Sequence, residues 1–285
     1  MTVILRKAEA ADAKAVGDIC YRAFKALAEK HNFTPDFPSA EVASFMFADV
    51  ISHAGFFNRV AEIDGRVVGS NFLDERNPIS AVGPITVDPA LQNGGAGRAL
   101  MQAIMRRSQE RGFAGIRLVQ AAYHSRSLAL YLKLGFDVRE PLACLQGPAI
   151  GKPMSGYAVR AATDRDLPAC NRLCRRVHGH DRSGELADEV AKGHARVVER
   201  ADRITGYATS IAFFGHAVGE TNDDLKALIG AAESFPDPGF LVPTRNGELM
   251  RWCLGEGLSI TQTMTLMTIG LYNHPDGAWM PSVSY

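Results

Sequence analysis

The chain carries no surplus charge: 31 lysines and arginines offset 31 aspartates and glutamates in 285 residues. Without net charge no global field favours a polyanion, so the expectation is no nucleic acid and no membrane surface as a partner. Long hydrophobic runs are missing too. No stretch approaches the roughly 20 apolar residues that cross a bilayer, and the opening MTVILRKAEAADAKAV turns charged too early for a secretory leader. Together these absences predict a soluble, cytoplasmic protein. Cysteine is scarce and odd in number, with Cys20, Cys144, Cys170, Cys174 and Cys253 and no CxxC pair. That excludes a disulfide framework and a structural zinc site, and leaves reduced, partly buried thiols. His178 and His180 in RRVHGHDR offer two ligands where a metal needs three or four, so the pair reads as a solvated helix end.

What is present is enough apolar material for a full core, 46% of the residues, on a length that suits two domains. The sequence also repeats itself. LRKAEAADAKAVGDICYR from Leu5 is echoed by VRAATDRDLPACNRLCRR from Val159, pairing Arg6 with Arg160, Asp12 with Asp166 and Cys20 with Cys174. A second echo follows, RVAEIDGRVVGS and RVVERADRITGYATS, both reading as β-hairpins, the first on an Asp64-Gly65 turn. Between the copies, REPLACLQGPAIGKPMSGYAVR is rich in proline and glycine, which sets a boundary near 150. The expected architecture is α+β: residues 1–150 and 151–285 as two similar domains, each a mixed, mostly antiparallel central sheet flanked by helices.

The first half orders as strand, helix, helix, hairpin, strand, helix, strand, helix, strand. The strand AVGPITV contains Pro84, which donates no ladder hydrogen bond and belongs where neighbouring strands part. It leads into VDPALQNGGAGRALMQAIM, where Gly94, Gly95 and Gly97 stand between that strand and a helix with Leu100, Met101, Ile104 and Met105 on one face. Glycines at a helix start let the backbone approach a ligand with outward N–H groups, an arrangement that suits a diphosphate. The alternative is a glycine-rich turn that holds nothing. A nucleotide-hydrolase loop is excluded because no Gly-Lys-Ser/Thr follows, and a dinucleotide fold because a hairpin precedes the loop.

Val87, Pro89, Gln92, Gly95, Gly97 and Leu100 resemble the V-x-P-x-x-[QR]-x-x-G-x-[GA]-x-x-L signature of the GCN5-related N-acetyltransferase (GNAT) family. SLALYLKLGF, with Tyr131, Gly135 and Phe136, resembles that family's second motif. Two motifs in order, each on its expected element, are more specific than either alone. The resemblance implies an acyltransferase in the first half that takes acetyl-CoA as cosubstrate and acetylates a primary amine, in a small molecule or a peptide, by direct attack in a ternary complex. A homodimer remains open. It implies a diphosphate site on Gln92, Asn93, Gly94, Gly95, Ala96, Gly97 and Arg98, with backbone groups of Ile85, Thr86 and Val87 aligning the pantetheine arm and thioester. Tyr131 matches the tyrosine that protonates the departing thiolate in many members. Its other reading is helix packing. Where many members have asparagine, seven positions before the tyrosine, this chain has His124.

The reaction needs a base for the ammonium acceptor. Asp74 and Glu75, after the second hairpin strand, are candidates that could equally be solvated loop carboxylates. His124 is a third, or a helix cap. The terminal carboxylate of Tyr285 is a fourth, by analogy with aminoglycoside-modifying tandem members of the family. HNFTPDFPS, His31 to Ser39, reads as an acceptor wall or a packed loop. In the second half, GHAVGETNDDLKALIGAA takes the place of the glycine cluster but carries Glu220, Asp223 and Asp224, which would repel a diphosphate. TRNGELMRWCLGEGLSI follows the second motif, with Asn246, Cys253 and Gly257 at the places of His124, Tyr131 and Gly135. This half therefore reads as a degenerate copy that packs on the first, shapes the acceptor pocket or extends the sheet. The rival class is a catalytically silent scaffold that binds or senses an acyl-CoA.

Overall fold

The duplicated opening folds twice into the same device. In the computed structural model, which describes residues 2–285, Arg6 at the end of β1 (Ile4–Arg6) pairs with Asp12 at 2.6 Å and Glu62 at 2.7 Å. Arg160 repeats this with Asp166 at 2.8 Å and Glu199 at 2.5 Å. Each aspartate also accepts from the backbone N–H three residues upstream, of Glu9 or Thr163, closing a capping box at the turn that launches a helix. The arginine's hydrogen bond is the main reason both carboxyls titrate below the ordinary aspartate range.

The first pass continues through α1 (Ala13–Lys30), α2 (Ala40–Ser52), β2 (Phe56–Ile63), β3 (Arg66–Asp74), the short β4 (Ser80–Val82) and β5 (Thr86–Val87), α3 (Ala96–Glu110), β6 (Gly115–Ala121), α4 (Ser125–Lys133) and β7 (Asp137–Gln146). The second runs β8 (Ala158–Ala161), α5 (Leu167–His178), α6 (Ser183–Ala191), β9 (Arg196–Arg200), β10 (Arg203–Ala208), β11 (Ala217–Gly219), α7 (Asn222–Gly230), β12 (Phe240–Pro243), α8 (Gly247–Gly255), β13 (Ser259–Gly270) and β14 (Ala278–Met280). Both hairpins turn on two residues of positive φ, Asp64-Gly65 at 51° and 74° and Ala201-Asp202 at 49° and 57°. Such turns match the right-handed twist of the flanking strands.

The strands form two sheets, one mixed and mostly antiparallel, the other wholly antiparallel. One has nine strands, β1-β2-β3-β4-β6-β13-β7-β12 with β5 on β3; the other runs β14-β11-β10-β9-β8. The order is not that of two self-contained halves. β13 enters from the second half between β6 and β7, with Met264 opposite both Ala121 and Leu142, and β12 pairs β7 through Val242 and Ala143. The second half thus extends the first half's sheet. The reason lies in β7, where Leu142, Ala143, Cys144 and Leu145 are all buried and feed two cores, one on each face. A strand apolar on both faces needs cover on both. Glu140 on the same strand reaches across to Arg245 at 2.7 Å, and Arg76 reaches Asp188 at 2.7 Å.

One expectation needs correction. His178 and His180 are buried, not solvated. His180 Nε2 lies 2.8 Å from the Tyr285 hydroxyl, and burial holds both imidazoles below the usual histidine range, His180 at about 4. Among the described residues no three His, Cys, Asp or Glu converge as a metal site, and no helix is long and apolar enough to cross a membrane. All five cysteines are free and buried.

Candidate functional site

The site begins where the first sheet comes apart. β4 pairs with β6 in parallel, Ser80 opposite Ile116, but the chain then breaks step at Gly83-Pro84-Ile85. β5 keeps its partner β3, Ser70 opposite Thr86, and has none on its other side. Pro84 cannot donate to a ladder, which fits a place where strands diverge. A cavity of about 790 Å³ opens there, walled by Ile85, Thr86 and Val87 on one strand and Leu118 to Ala121 on the other.

The glycine cluster closes one end of this cavity. Gly95 is the N-cap of α3 with φ +86°, a conformation that favours glycine, and among the described residues no side chain caps the helix. The first-turn N–H groups and the positive end of the helix dipole are therefore available to an anion. Gln92, Asn93, Gly95, Ala96, Gly97 and Arg98 line the cavity; Gly94 does not. The helix is fixed by Leu100, Met101 and Ile104, all fully buried. Arg126 at the start of α4 hydrogen-bonds the Gln92 side chain, tying the two cationic helix starts together.

α4 brings Tyr131 and His124 to the same cavity. Tyr131 is 7% exposed, packed edge-on against Phe136, and burial pushes its phenol well above the ordinary range, so it stays a neutral O–H donor. His124 is the N-cap of α4, without a side-chain cap bond. Burial, then Arg126, lowers its pKa and favours the neutral imidazole.

Asp74 and Glu75 are not brought to the cavity, which corrects the expectation that either receives a proton there. Asp74 is clamped by Arg76, with Nη2 2.5 Å from Oδ2, and Glu75 by Arg107 at 2.6 and 2.9 Å. Both carboxylates are engaged by arginine and lie outside the cavity lining. Tyr285 is also displaced. Its ring is buried between Arg117 and Arg182, while its neighbours Val283 and Ser284 reach the cavity wall.

The residue missed by sequence reasoning is Asp36, in the HNFTPDFPS loop. It is the one carboxylate among the residues that line the cavity. Gln262 on β13 donates to its Oδ1 at 3.4 Å and accepts from the Tyr123 hydroxyl at 3.0 Å. Burial raises its pKa from the ordinary 3.8 to about 6, against a smaller lowering by the Gln262 bond. The sequence signal was present, a single acid among aromatics and prolines. Phe213, Phe214 and Met264 complete the wall from the second half.

This geometry, a split sheet with an uncapped glycine-rich helix start and a tyrosine on the following helix, is that of the acyl-CoA N-acyltransferase (GNAT) fold. Residues 23–136 match the model of the acetyltransferase (GNAT) family, a family whose cosubstrate is acetyl-CoA. A mycothiol acetyltransferase of Amycolatopsis mediterranei is 37% identical over 95 residues, 30% of this chain and 31% of that one. Another, of Nocardia farcinica, is 38% identical over 75 residues, 25% of each chain. The matches thus span under a third of these relatives' length. Two solved structures share the fold over nearly the whole chain. A putative acetyltransferase of Pyrococcus horikoshii aligns with TM-score 0.74 at 16% identity, covering 97% of this chain and 94% of that one. A GCN5-related N-acetyltransferase of Sphaerobacter thermophilus aligns at 0.61 and 15%, covering 95% and 96%.

Proposed function

We propose that the protein moves the acetyl group of acetyl-CoA onto a primary amine, with one active site per chain in residues 1–150 and a degenerate second domain in residues 151–285. The observation that carries this reading is the uncapped start of α3 facing the parted strands, with Tyr131 in the same cavity. The N–H groups around Gly95 and Gly97, aided by Arg98, hold the diphosphate. The free edge of β5, at Ile85, Thr86 and Val87, offers the pantetheine arm the hydrogen bonds that a β6 neighbour would otherwise take. The amine attacks the thioester carbonyl carbon and the C–S bond breaks. Tyr131 gives its proton to the leaving sulfur. The name shared by the mycothiol relatives supports acetyl transfer, while their acceptor is not carried over on matches of this length.

The test is CoA thiol release by the full chain against an amine library. Release that depends on an added amine supports acetyl transfer. Acetyl-CoA binding without release across the library would make the protein a scaffold.

A further inference from the structure

We infer that Asp36 is the residue that seats the acceptor's ammonium and takes its proton, and that the acceptor is an amine on an aromatic or apolar body with no carboxylate beside the amine. The inference rests on the acetyl-transfer reading and adds to it the base and the acceptor class.

Charge is divided within the cavity. Three of its four cationic residues, Arg98, Arg126 and Lys133, sit on α3 and α4 beside the glycine loop, where a polyanionic donor belongs, and the fourth, Lys30, ends α1. Asp36 lies on the α1–α2 loop instead, among apolar and aromatic groups. Phe37 stacks towards Phe214 at 6.4 Å between centroids, and Phe33 lies on Tyr123 at 4.5 Å. A lone carboxylate in such a wall is costly unless a cation joins it, and an ammonium supplies a charge-assisted hydrogen bond there. Among the described residues no arginine or lysine is paired with Asp36, in contrast to Asp74 and Glu75. A carboxylate on the acceptor would instead meet Asp36 as a like charge.

Position and titration agree. Asp36 accepts a hydrogen bond from Gln262, and its charge is felt by the phenol of Tyr123 and the thiols of Cys20 and Cys144. Burial pushes the Tyr123 and Cys144 groups up to about 12 and Cys20 well above the thiol range, so all three are neutral near pH 7. His31 and His124 share the cavity. An acid of pKa about 6 is ionised at neutral pH and basic enough to accept a proton. Asp36 takes one proton from the ammonium, and the nitrogen lone pair forms the C–N bond. As the C–S bond breaks, Tyr131 protonates the sulfur and is reprotonated by the second proton leaving nitrogen. Asp36 then sheds its proton to solvent.

The experiment is calorimetric titration of the CoA-loaded full chain with phenethylamine and with phenylalanine, using wild type, Asp36→Asn and Asp36→Glu, alongside kcat/KM for phenethylamine against pH. The expected result is phenethylamine binding that weakens at least tenfold in Asp36→Asn with CoA affinity kept, partial recovery in Asp36→Glu, and phenylalanine bound more weakly throughout. Wild-type kcat/KM should fall as pH drops through about 6, and this limb should vanish in Asp36→Asn. A limb that persists in Asp36→Asn assigns the base to another group such as His124 and overturns the inference. So does equal phenethylamine affinity in wild type and Asp36→Asn, or a preference for phenylalanine. Asp36-dependent binding with no acetylated product would overturn acetyl transfer and the base role, and uphold the ammonium seat. Should Asp36→Asn not fold, wild-type phenethylamine binding must still weaken below pH 6, and pH-independent binding overturns the inference.

Discussion

The two halves present the same helix start to opposite ends. α3 begins at Gly95 with φ +86° and no side-chain cap, so its first amides are left for a ligand. α7 begins at Thr221, and Asp224 turns back to accept from Thr221 N at 2.8 Å, Thr221 Oγ1 at 2.9 Å and Thr205 Oγ1 at 2.5 Å. The second helix has satisfied itself. Around it, Asn222 and Asn246 exchange side-chain hydrogen bonds at 3.1 and 2.8 Å, joining α7 to the N-cap of α8. Glu220 is ringed by Arg176, Arg200 and Arg203. The corresponding place between α3 and α4 is lined by Gln92, Gly95, Arg98 and Arg126. The start of α7 is thus closed by its own acid, where that of α3 is left open.

That difference can be broken from either side. Gly95→Glu should have the largest effect. A Cβ there meets nothing within 4 Å, so the protein folds at the cost of a strained φ, about 1–2 kcal/mol, while the added carboxylate opposes a diphosphate. Acetyl-CoA affinity should fall beyond about 100-fold by calorimetry, roughly 2.7 kcal/mol. Tyr131→Phe should lower kcat by about 100-fold with acetyl-CoA affinity within a few-fold of wild type, as expected for loss of a general acid. Steady-state kinetics read this directly. In the second half, Asp224→Ala should leave acetyl-CoA binding unchanged and cost about 2 kcal/mol in urea unfolding, because it removes a fully buried cap. Glu220→Gln should be the mildest. Its partners hold the carboxyl at about 2, led by the Arg203 bond, but those arginines are largely exposed. Screening limits the loss to under about 1 kcal/mol, present above the ordinary glutamate pKa and fading as pH falls towards 2.

The sequence was most informative where structure follows from local chemistry. Asp64-Gly65, the glycines before α3, Pro84 at the strand break and the Arg6/Asp12 and Arg160/Asp166 echo each act over a few residues, and each stands where the pattern put it. Gly135 and Gly257 end their helices in matching conformations, φ 94° and 92°. The strand exchange was not legible in the sequence. β7 and β13 each bury apolar side chains, and nothing local tells either which neighbour it will take. Asp36 was hidden for a related reason, since its hydrogen-bond partner Gln262 lies 226 positions away. Asp74 and Glu75 misled because acids on a loop near the sheet opening resemble a base until their arginines are seen. Arg76 is adjacent to Glu75 and could have warned of this; Arg107 could not.

The central claim is that one helix start per chain receives the donor. Calorimetric titration of the full chain with acetyl-CoA tests it most directly. The account predicts one equivalent bound in the wild type and none in Gly95→Glu. Two equivalents, or one that survives the substitution, would contradict it.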